Sequence, residues 1–120
     1  DLQNGYSAIG RVVYPPRAGA SEPPPEAHLI YLKPRLTGTE PADLLNYKCT
    51  HPGFPHESTA DQWFDESQFE SYRKLGHHIG KAVFNAALIE AAQRQEMAGD
   101  SGPILPWLCE ILRERRDEEA

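Results

Sequence analysis

Cysteine is scarce in this 120-residue chain, which contains only Cys49 and Cys109. Two cysteines cannot build the disulfide framework of a small secreted protein. The sequence also has no CxxC pair, so it does not predict a structural zinc site. We therefore expect two reduced, partly buried thiols.

Long apolar runs are also missing. The mean hydropathy is -0.61, and no uncharged stretch approaches the ~20 apolar residues of a membrane-spanning helix. No basic segment followed by an apolar one opens the chain, so no signal peptide is predicted. Because the first residue is Asp1, we interpret the chain as a fragment, a processed product or a trimmed form of a longer protein.

Basic residues are outnumbered, with 12 Lys and Arg against 18 Asp and Glu and a net charge of -6. A nucleic-acid-binding protein normally presents a basic face, so no nucleic-acid partner is expected. The acidic excess is spread along the chain and is typical of ordinary solubility. A chain of this length forms at most one domain with a modest core.

The first half of the chain predicts an antiparallel strand pair at about residues 8–14 (AIGRVVY) and 28–33 (HLIYLK). A proline-rich loop, residues 15–27, separates them and cannot form a helix or a ladder. Ile30 and Leu32 alternate with Leu29 and Tyr31, so both faces of the second strand are apolar. This pattern is typical of a strand covered on both sides, and two strands alone are marginal in water. The pair therefore indicates part of a larger sheet.

Three helices are predicted after the strands, at residues 41–48, 65–95 and 104–116. Thr39 is expected to cap the first helix, and Asp65 with Gln68 resembles a capping box for the second. A short helical turn is expected at residues 61–64, and a charged tail that frays at residues 113–120. The class is therefore α+β, in a chain of one domain.

The long helix is expected to present one apolar face, whose residues recur at spacings of three and four: Phe69, Tyr72, Gly76, Ile79, Val83 and Ala87. Gly76 and Gly80 lie one turn apart and would form a groove where another backbone can approach closely. The last helix shows a second apolar stripe of Leu105, Leu108, Ile111 and Leu112.

Candidate reactive residues gather in and beside the loop between the first two helices, but none makes a strong motif. Ser58 lies near His56 and Asp61, yet no GxSxG occurs and residues this close in sequence rarely form a triad. Ser58 and Thr59 are better interpreted as helix caps. Cys49 with His51 is a weaker candidate for a thiol nucleophile.

A metal site is the other chemical candidate, with His51 and His56 as ligands beside Glu57 and Asp61. The alternative is that His56 bonds to the loop backbone. His77 and His78 are adjacent on a helix, so they point about 100° apart and cannot easily share a metal. Trp63, Phe64 and Tyr72 could contact lipid or a partner, although core packing is the favoured interpretation for them.

Residues 29–80, with the strand near residues 9–14, resemble the C-terminal part of bacterial patatin-like phospholipases. In that family a strand of the form LxYxKP is followed by TGxEPADLxxY, by PxFPHxxTxDQxF and by DExxFExYRxLG. The shared residues are Leu29, Tyr31, Lys33 and Pro34; Thr37 to Leu44 with Tyr47; Phe54 to His56, Thr59, Asp61, Gln62 and Phe64; and Asp65, Glu66, Phe69, Glu70, Tyr72, Arg73, Leu75 and Gly76. Residues 81–120 are not recognisably shared.

The resemblance implies an α/β lipid acyl hydrolase with a Ser-Asp dyad, in which this chain is a fragment. In the family the serine lies in GxSxG, the aspartate in a DGG-type turn, and a glycine-rich loop forms the oxyanion hole. All three lie upstream of the matched region and are absent here. No catalytic, cofactor-binding or metal-binding residue is carried over, and no cofactor is implied.

Three functions are therefore open. The first is a non-catalytic C-terminal segment of a patatin-like phospholipase, with the upstream part of the same protein as its partner. The location would be cytoplasmic or, through the parent protein, at a lipid or membrane surface. The second is a stand-alone module that binds a protein or a membrane through Trp63 and Phe64. The third is a small metal-dependent enzyme that uses His51 and His56.

Overall fold

The computed structural model describes residues 5–16, 18–19, 27–60 and 62–118. These residues form an antiparallel strand pair followed by three helices, which confirms the predicted α+β class. The strands are β1 (Ser7–Val12) and β2 (Ala27–Leu32), and the helices are α1 (Ala42–Thr50), α2 (Glu66–Met97) and α3 (Leu105–Glu118).

The two predicted strands and the three longer predicted helices all occur, with ends displaced by one or two residues. β1 ends at Val12 and not at residue 14, because the ladder ends at the pair Val12↔Ala27 and leaves Val13 and Tyr14 exposed. The predicted tail at 113–120 is helical as far as Glu118. Most of the proline-rich loop, including residues 20–26, lies outside the described residues.

The two strands pair in a register that gives the sheet two unlike faces. Residues directly opposite each other share a face, so Ile9 and Ile30 lie together on one side. Ile9 is buried on that side, and α3 contacts β1. We call the other side the open sheet face, which consists of Ala8, Gly10, Val12, Ala27, Leu29 and Tyr31.

The short helix α1 begins differently from the prediction. Its first residue is Ala42, its N-cap is Pro41, and no side chain caps it. The hydroxyl of Thr39 instead lies 2.9 Å from that of Thr37. The expected helical turn at 61–64 was also wrong, because residues 62–64 have no helical structure and Asp61 lies outside the described residues.

The helix α2 carries most of the core. Asp65 caps it by accepting a 2.7 Å hydrogen bond from the Gln68 N–H, as predicted. Its first half packs against α1 and the following loop through a buried cluster of Leu44, Tyr47, Phe54, Leu75, Ile79 and Val83. Its second half packs against α3 through Ala87, Ala91, Leu108 and Ile111.

The predicted apolar face of α2 is right in its middle and wrong at its start. Ile79, Val83 and Ala87 are buried as expected, but Phe69 is 62% exposed. The buried positions near the start of the helix are Gln68, Ser71 and Leu75, one residue earlier than the predicted face. On α3, Leu108 and Ile111 are buried while Leu105 is exposed.

No described part of the chain fills the glycine groove predicted on α2. Apart from the nearby residues of the helix itself, no described atom lies within 4 Å of a Cβ atom placed on Gly76 or on Gly80. No described element of the chain therefore uses the space that these two residues leave open.

Ion pairs join the second half of α2 to α3. Arg94 binds both Glu90 and Glu114, at 2.6 and 2.8 Å, and Arg115 binds Glu90 at 2.9 Å. Among the helices in the described ranges, none combines the length and apolar character that crossing a bilayer requires.

Candidate functional site

The most connected group of polar side chains lies where the start of the strand pair meets α1 and α2. We call it the Glu40 cluster; it consists of Tyr6, Thr37, Thr39, Glu40 and His78. Glu40 stands at the end of the TGTE turn, two residues before α1. Tyr6 immediately precedes β1, and His78 lies on α2.

The Glu40 carboxylate is surrounded by donors. Oε1 accepts hydrogen bonds from the Thr37 N–H and the Tyr6 hydroxyl, both at 2.7 Å. Oε2 accepts one from the Gly38 N–H at 2.8 Å. Gly38 has φ of 91°, a left-handed conformation that glycine adopts without strain and that lets the turn fold back around the carboxylate.

These bonds control the ionisation of Glu40. Burial by itself would raise the pKa of the carboxyl, but the hydrogen bonds from the Thr37 N–H, from Tyr6 and from nearby backbone N–H groups outweigh it. Together they lower the pKa from 4.5 to about 2. The group is therefore an anion at neutral pH although only 5% of Glu40 is exposed. An anion so fully bonded is not free to act as a general base.

The sequence prediction did not single out Glu40. It expects Thr39 to cap α1, whereas the structure has no side-chain cap there and the side chain of Glu40 turns back over residues 37 and 38. The available sequence signal was the short polar turn TGTE, in which a glycine precedes a carboxylate that can reach its own backbone. Tyr6 and Glu40 are 34 residues apart in the sequence, and Tyr6 and His78 are 72 residues apart. Local sequence cannot show contacts over such separations.

A second group, the aromatic cluster, fills the region between α1 and α2. Tyr47 stacks on His51 with ring centroids 4.0 Å apart. Phe54, which is fully buried, makes edge contacts with Tyr47 and Tyr72 at 5.1 and 4.9 Å. Burial, with a smaller effect of the charge on Glu57, raises the pKa of Tyr47. This arrangement is apolar packing and holds the loop against the helices.

The candidate metal ligands are not brought together. His51 closes the last turn of α1, because its Nδ1 lies 3.2 Å from the Tyr47 carbonyl oxygen. His56 is exposed, and it is its backbone N–H that bonds to the loop, at the Gly53 carbonyl oxygen. Asp61 lies outside the described residues. Within the described ranges, no three His, Cys, Asp or Glu side chains stand close enough to hold a metal ion.

The candidate nucleophile Ser58 also has a structural partner. The Ser58 Oγ accepts a hydrogen bond from the Ala60 N–H at 3.2 Å, so it caps a turn and not a helix. Cys49 is exposed, contrary to the expectation of two partly buried thiols. Burial raises the pKa of the Cys109 thiol, which keeps it protonated and unreactive.

The hydroxyl of Thr50 contacts an imidazole, since its Oγ1 lies 2.9 Å from His51 Nδ1. The same hydroxyl donates to the Tyr47 carbonyl oxygen at 3.0 Å, and the imidazole faces that oxygen too. Both groups therefore satisfy the carbonyl end of α1, where a helix leaves acceptors without partners. The pair closes the helix and does not form a catalytic site.

The aromatic residues before α2 are not core residues, contrary to the sequence interpretation. Trp63 is 91% exposed and Phe64 is 54% exposed. Phe64 still touches the half-buried Tyr72, with ring centroids 6.1 Å apart. An open depression beside them, at the start of α2, is lined by Asp65, Glu66, Ser67, Phe69 and Glu70.

Comparison of the chain with protein-family models, with curated proteins and with solved structures finds no match in any of the three.

Proposed function

We propose that this chain is the non-catalytic C-terminal part of a patatin-like lipid acyl hydrolase, where it completes the sheet and the helical layer of the catalytic domain. The order-preserving motifs of residues 29–80 suggest the family. The observation that carries the structural role is the open sheet face. All six of its residues are uncharged, and Leu29 and Tyr31 are 59% and 50% exposed.

The sheet itself supports the same proposal. It has two strands of six residues each, and a two-stranded sheet is marginal in water unless something packs on it. The helices of this chain reach one side of β1, and the other side remains apolar and exposed. Further strands from the upstream part of the protein would extend the two-stranded sheet, and an apolar layer from that part would cover its exposed side.

The empty groove at Gly76 and Gly80 provides a second support. Glycine in the interior of a helix costs about 1 kcal/mol relative to alanine. No packing contact in the described part of this chain compensates that cost, since no described atom apart from the nearby residues of α2 itself lies within 4 Å of either Cβ position. Close approach of an upstream backbone would account for both glycines.

The proposal is tested first by the coding sequence that precedes residue 1. It requires a GxSxG followed by a DGG in the same reading frame. It also requires that the 120-residue chain alone does not hydrolyse p-nitrophenyl esters, and that the chain joined to its preceding segment does. Turnover by the 120 residues alone, lost on Ser58→Ala, would overturn the proposal.

The role of the open sheet face is tested in the longer protein. Leu29→Lys places a charge on that face and is expected to reduce both ester hydrolysis and thermal stability of the longer protein. His28→Lys is the matched control, because His28 is exposed on the same strand and faces the other side. Equal effects of the two substitutions would show that the open sheet face is not a packing surface.

A stand-alone interaction module is the second candidate, favoured by the exposure of Trp63, Phe64 and Phe69 near the start of α2. This alternative predicts cooperative melting of the isolated chain and loss of partner or vesicle binding in Trp63→Ala. A molten isolated chain, or vesicle and partner binding unaffected by that substitution, would exclude it.

A further inference from the structure

The hydroxyl of Tyr6 is the atom at which three distant parts of the chain meet. It lies 2.7 Å from Glu40 Oε1 and 3.2 Å from His78 Nε2. The backbone of Tyr6 is fixed as well, since its carbonyl oxygen accepts a 2.8 Å hydrogen bond from the Lys33 N–H just beyond the strand ladder. The side chain therefore connects the start of the strand pair to the TGTE turn and to α2.

The direction of the hydrogen bonds follows from the number of protons available. A tyrosine hydroxyl carries one hydrogen, and an ionised carboxylate can only accept. The Tyr6 hydroxyl also lies 2.7 Å from Thr37 Oγ1 and 3.2 Å from Thr39 Oγ1, and either threonine hydroxyl can donate to it. We assign the hydrogen of Tyr6 to Glu40, because that 2.7 Å contact is charge-assisted and the contacts with the threonines and His78 are not. The oxygen of Tyr6 can then only accept from His78, so the proton of the neutral imidazole must lie on Nε2.

We propose that His78 Nε2–H, Tyr6 Oη–H and the Glu40 carboxylate form a directed hydrogen-bond relay that latches the residue before β1 onto α2 and holds His78 in the Nε2–H tautomer. This proposal concerns contacts within the chain and does not depend on the function proposed above. Tyr6 is a positioning residue in the relay: it transmits the orientation of the Glu40 carboxylate to an imidazole that the carboxylate does not itself touch.

The relay has two physical consequences. The first is that Tyr6 cannot move away from the TGTE turn without also losing its contact with His78. The second is that Nδ1 of His78 carries the lone pair, because the proton of the neutral imidazole lies on Nε2.

The tautomer is measured directly from the side-chain ¹⁵N and carbon-bound proton signals of the ¹⁵N-labelled 120-residue chain. The spectrum is recorded about two pH units above the ordinary imidazole pKa of ~6.5. His78→Gln identifies the signals of His78 by removing them, and His77→Gln, on the adjacent exposed position, serves as the assignment control. The expected result is a single Nε2–H tautomer for His78.

The role of Tyr6 is tested by Tyr6→Phe, which keeps the ring and removes the hydroxyl. The expected result is loss of the tautomer preference, giving the mixture typical of a free imidazole, while α2 stays helical by circular dichroism. Tyr14→Phe, at an exposed tyrosine beyond the end of β1, is expected to leave the His78 signals unchanged. A Tyr6 that served only in packing would leave the tautomer unaltered in Tyr6→Phe.

The spectrum of the unsubstituted chain tests the relay even if Tyr6→Phe fails to fold. An Nδ1–H tautomer, or a mixture of tautomers, at His78 of the unsubstituted chain overturns the relay. A single Nε2–H tautomer that survives Tyr6→Phe in a folded chain overturns it equally.

Discussion

Glu40 keeps its negative charge at a position where solvent reaches only 5% of the residue. The loss of water is offset by donors from its own turn and from Tyr6, which lie 2.7 to 2.8 Å from the two carboxylate oxygens. Because these donors favour the charged form more strongly than burial disfavours it, the pKa falls to about 2. The carboxylate therefore stabilises the folded chain only while it is ionised.

We predict that Glu40→Gln lowers the free energy of unfolding at pH 7 by roughly 3 kcal/mol, the equivalent of the change in pKa between the unfolded and folded chain. The folded pKa is the lower of the two, so this stabilisation is complete above the unfolded value of 4.5 and is lost as the pH falls toward about 2. Urea unfolding of wild type and variant between pH 7 and pH 2.5 measures the difference.

Glu110→Gln provides the control for this comparison, because Glu110 is exposed on α3. It is expected to change the stability little at any pH. A gap between wild type and Glu40→Gln that stays constant down to pH 2.5 would contradict the assignment of the stabilisation to the ionised carboxylate.

Phe54 and Phe69 illustrate how burial decides the effect of a substitution. Phe54 is fully buried between Tyr47 and Tyr72, whereas Phe69 is 62% exposed. We predict that Phe54→Ala lowers the free energy of unfolding by about 3–5 kcal/mol, through lost burial and the cavity left behind. Phe69→Ala is expected to stay within about 0.5 kcal/mol of wild type. Denaturant unfolding of both variants tests the contrast, and equal losses would contradict it.

At the scale of elements, α2 organises the molecule, because its two halves bury against different partners. The first half packs on α1 and the loop that contains Phe54, and the second half packs on α3. Small residues at Ala87 and Ala91 are fully buried and allow α3 to lie close to α2. The ion pairs of Arg94 and Arg115 lie at the border of this contact, where solvent weakens them.

We predict that alanine substitutions at Gly76, within α2, and at Gly99, after α2, change the free energy of unfolding in opposite directions. Gly76 lies within the helix with open space around its Cβ position, so Gly76→Ala is expected to raise the free energy of unfolding by about 1 kcal/mol. Gly99 follows the helix with φ of 65°, which an L-residue adopts only with strain. Gly99→Ala is therefore expected to lower the stability by about 1 kcal/mol.

Thermal unfolding of the isolated chain checks both signs. A loss of stability in Gly76→Ala would mean that part of this chain packs into the groove. In the longer protein proposed above, the same substitution is expected to be destabilising, because the upstream backbone would occupy that space.

At the scale of the whole molecule, the described residues form an extended body of 57 × 37 × 28 Å. α3 contacts β1 and Ile9 is buried on that side, whereas Leu29 and Tyr31 on the open sheet face are exposed to solvent. An exposed apolar face beside unpaired strand edges favours association with other chains.

We predict that the isolated chain self-associates as its concentration rises, and that the double variant Leu29→Lys with Tyr31→Lys remains monomeric. Both side chains are at least half exposed, so the fold itself should tolerate the charges. Sedimentation velocity over a concentration series measures the effect, with His28→Lys as the single-site control on the opposite face. Equal association of the wild type and the double variant would show that the chain does not self-associate through the open sheet face.

The sequence by itself determined the order, type and approximate extent of every helix and strand. β-branched and aromatic runs bounded by prolines predicted β1 and β2, and the Asp65 cap with apolar spacing predicted α2. These signals are local, since a strand or a helix cap is specified within a few residues.

Only the tertiary structure decided which apolar residues are buried and which polar residues meet. Phe69, Trp63 and Phe64 have core-like side chains but face solvent, because α1 and α3 cover a different side of α2. Glu40, Tyr6 and His78 come together from three separate parts of the chain. The physical reason is the same in both cases: burial and long-range hydrogen bonds depend on how the elements pack together, whereas local sequence specifies each element separately.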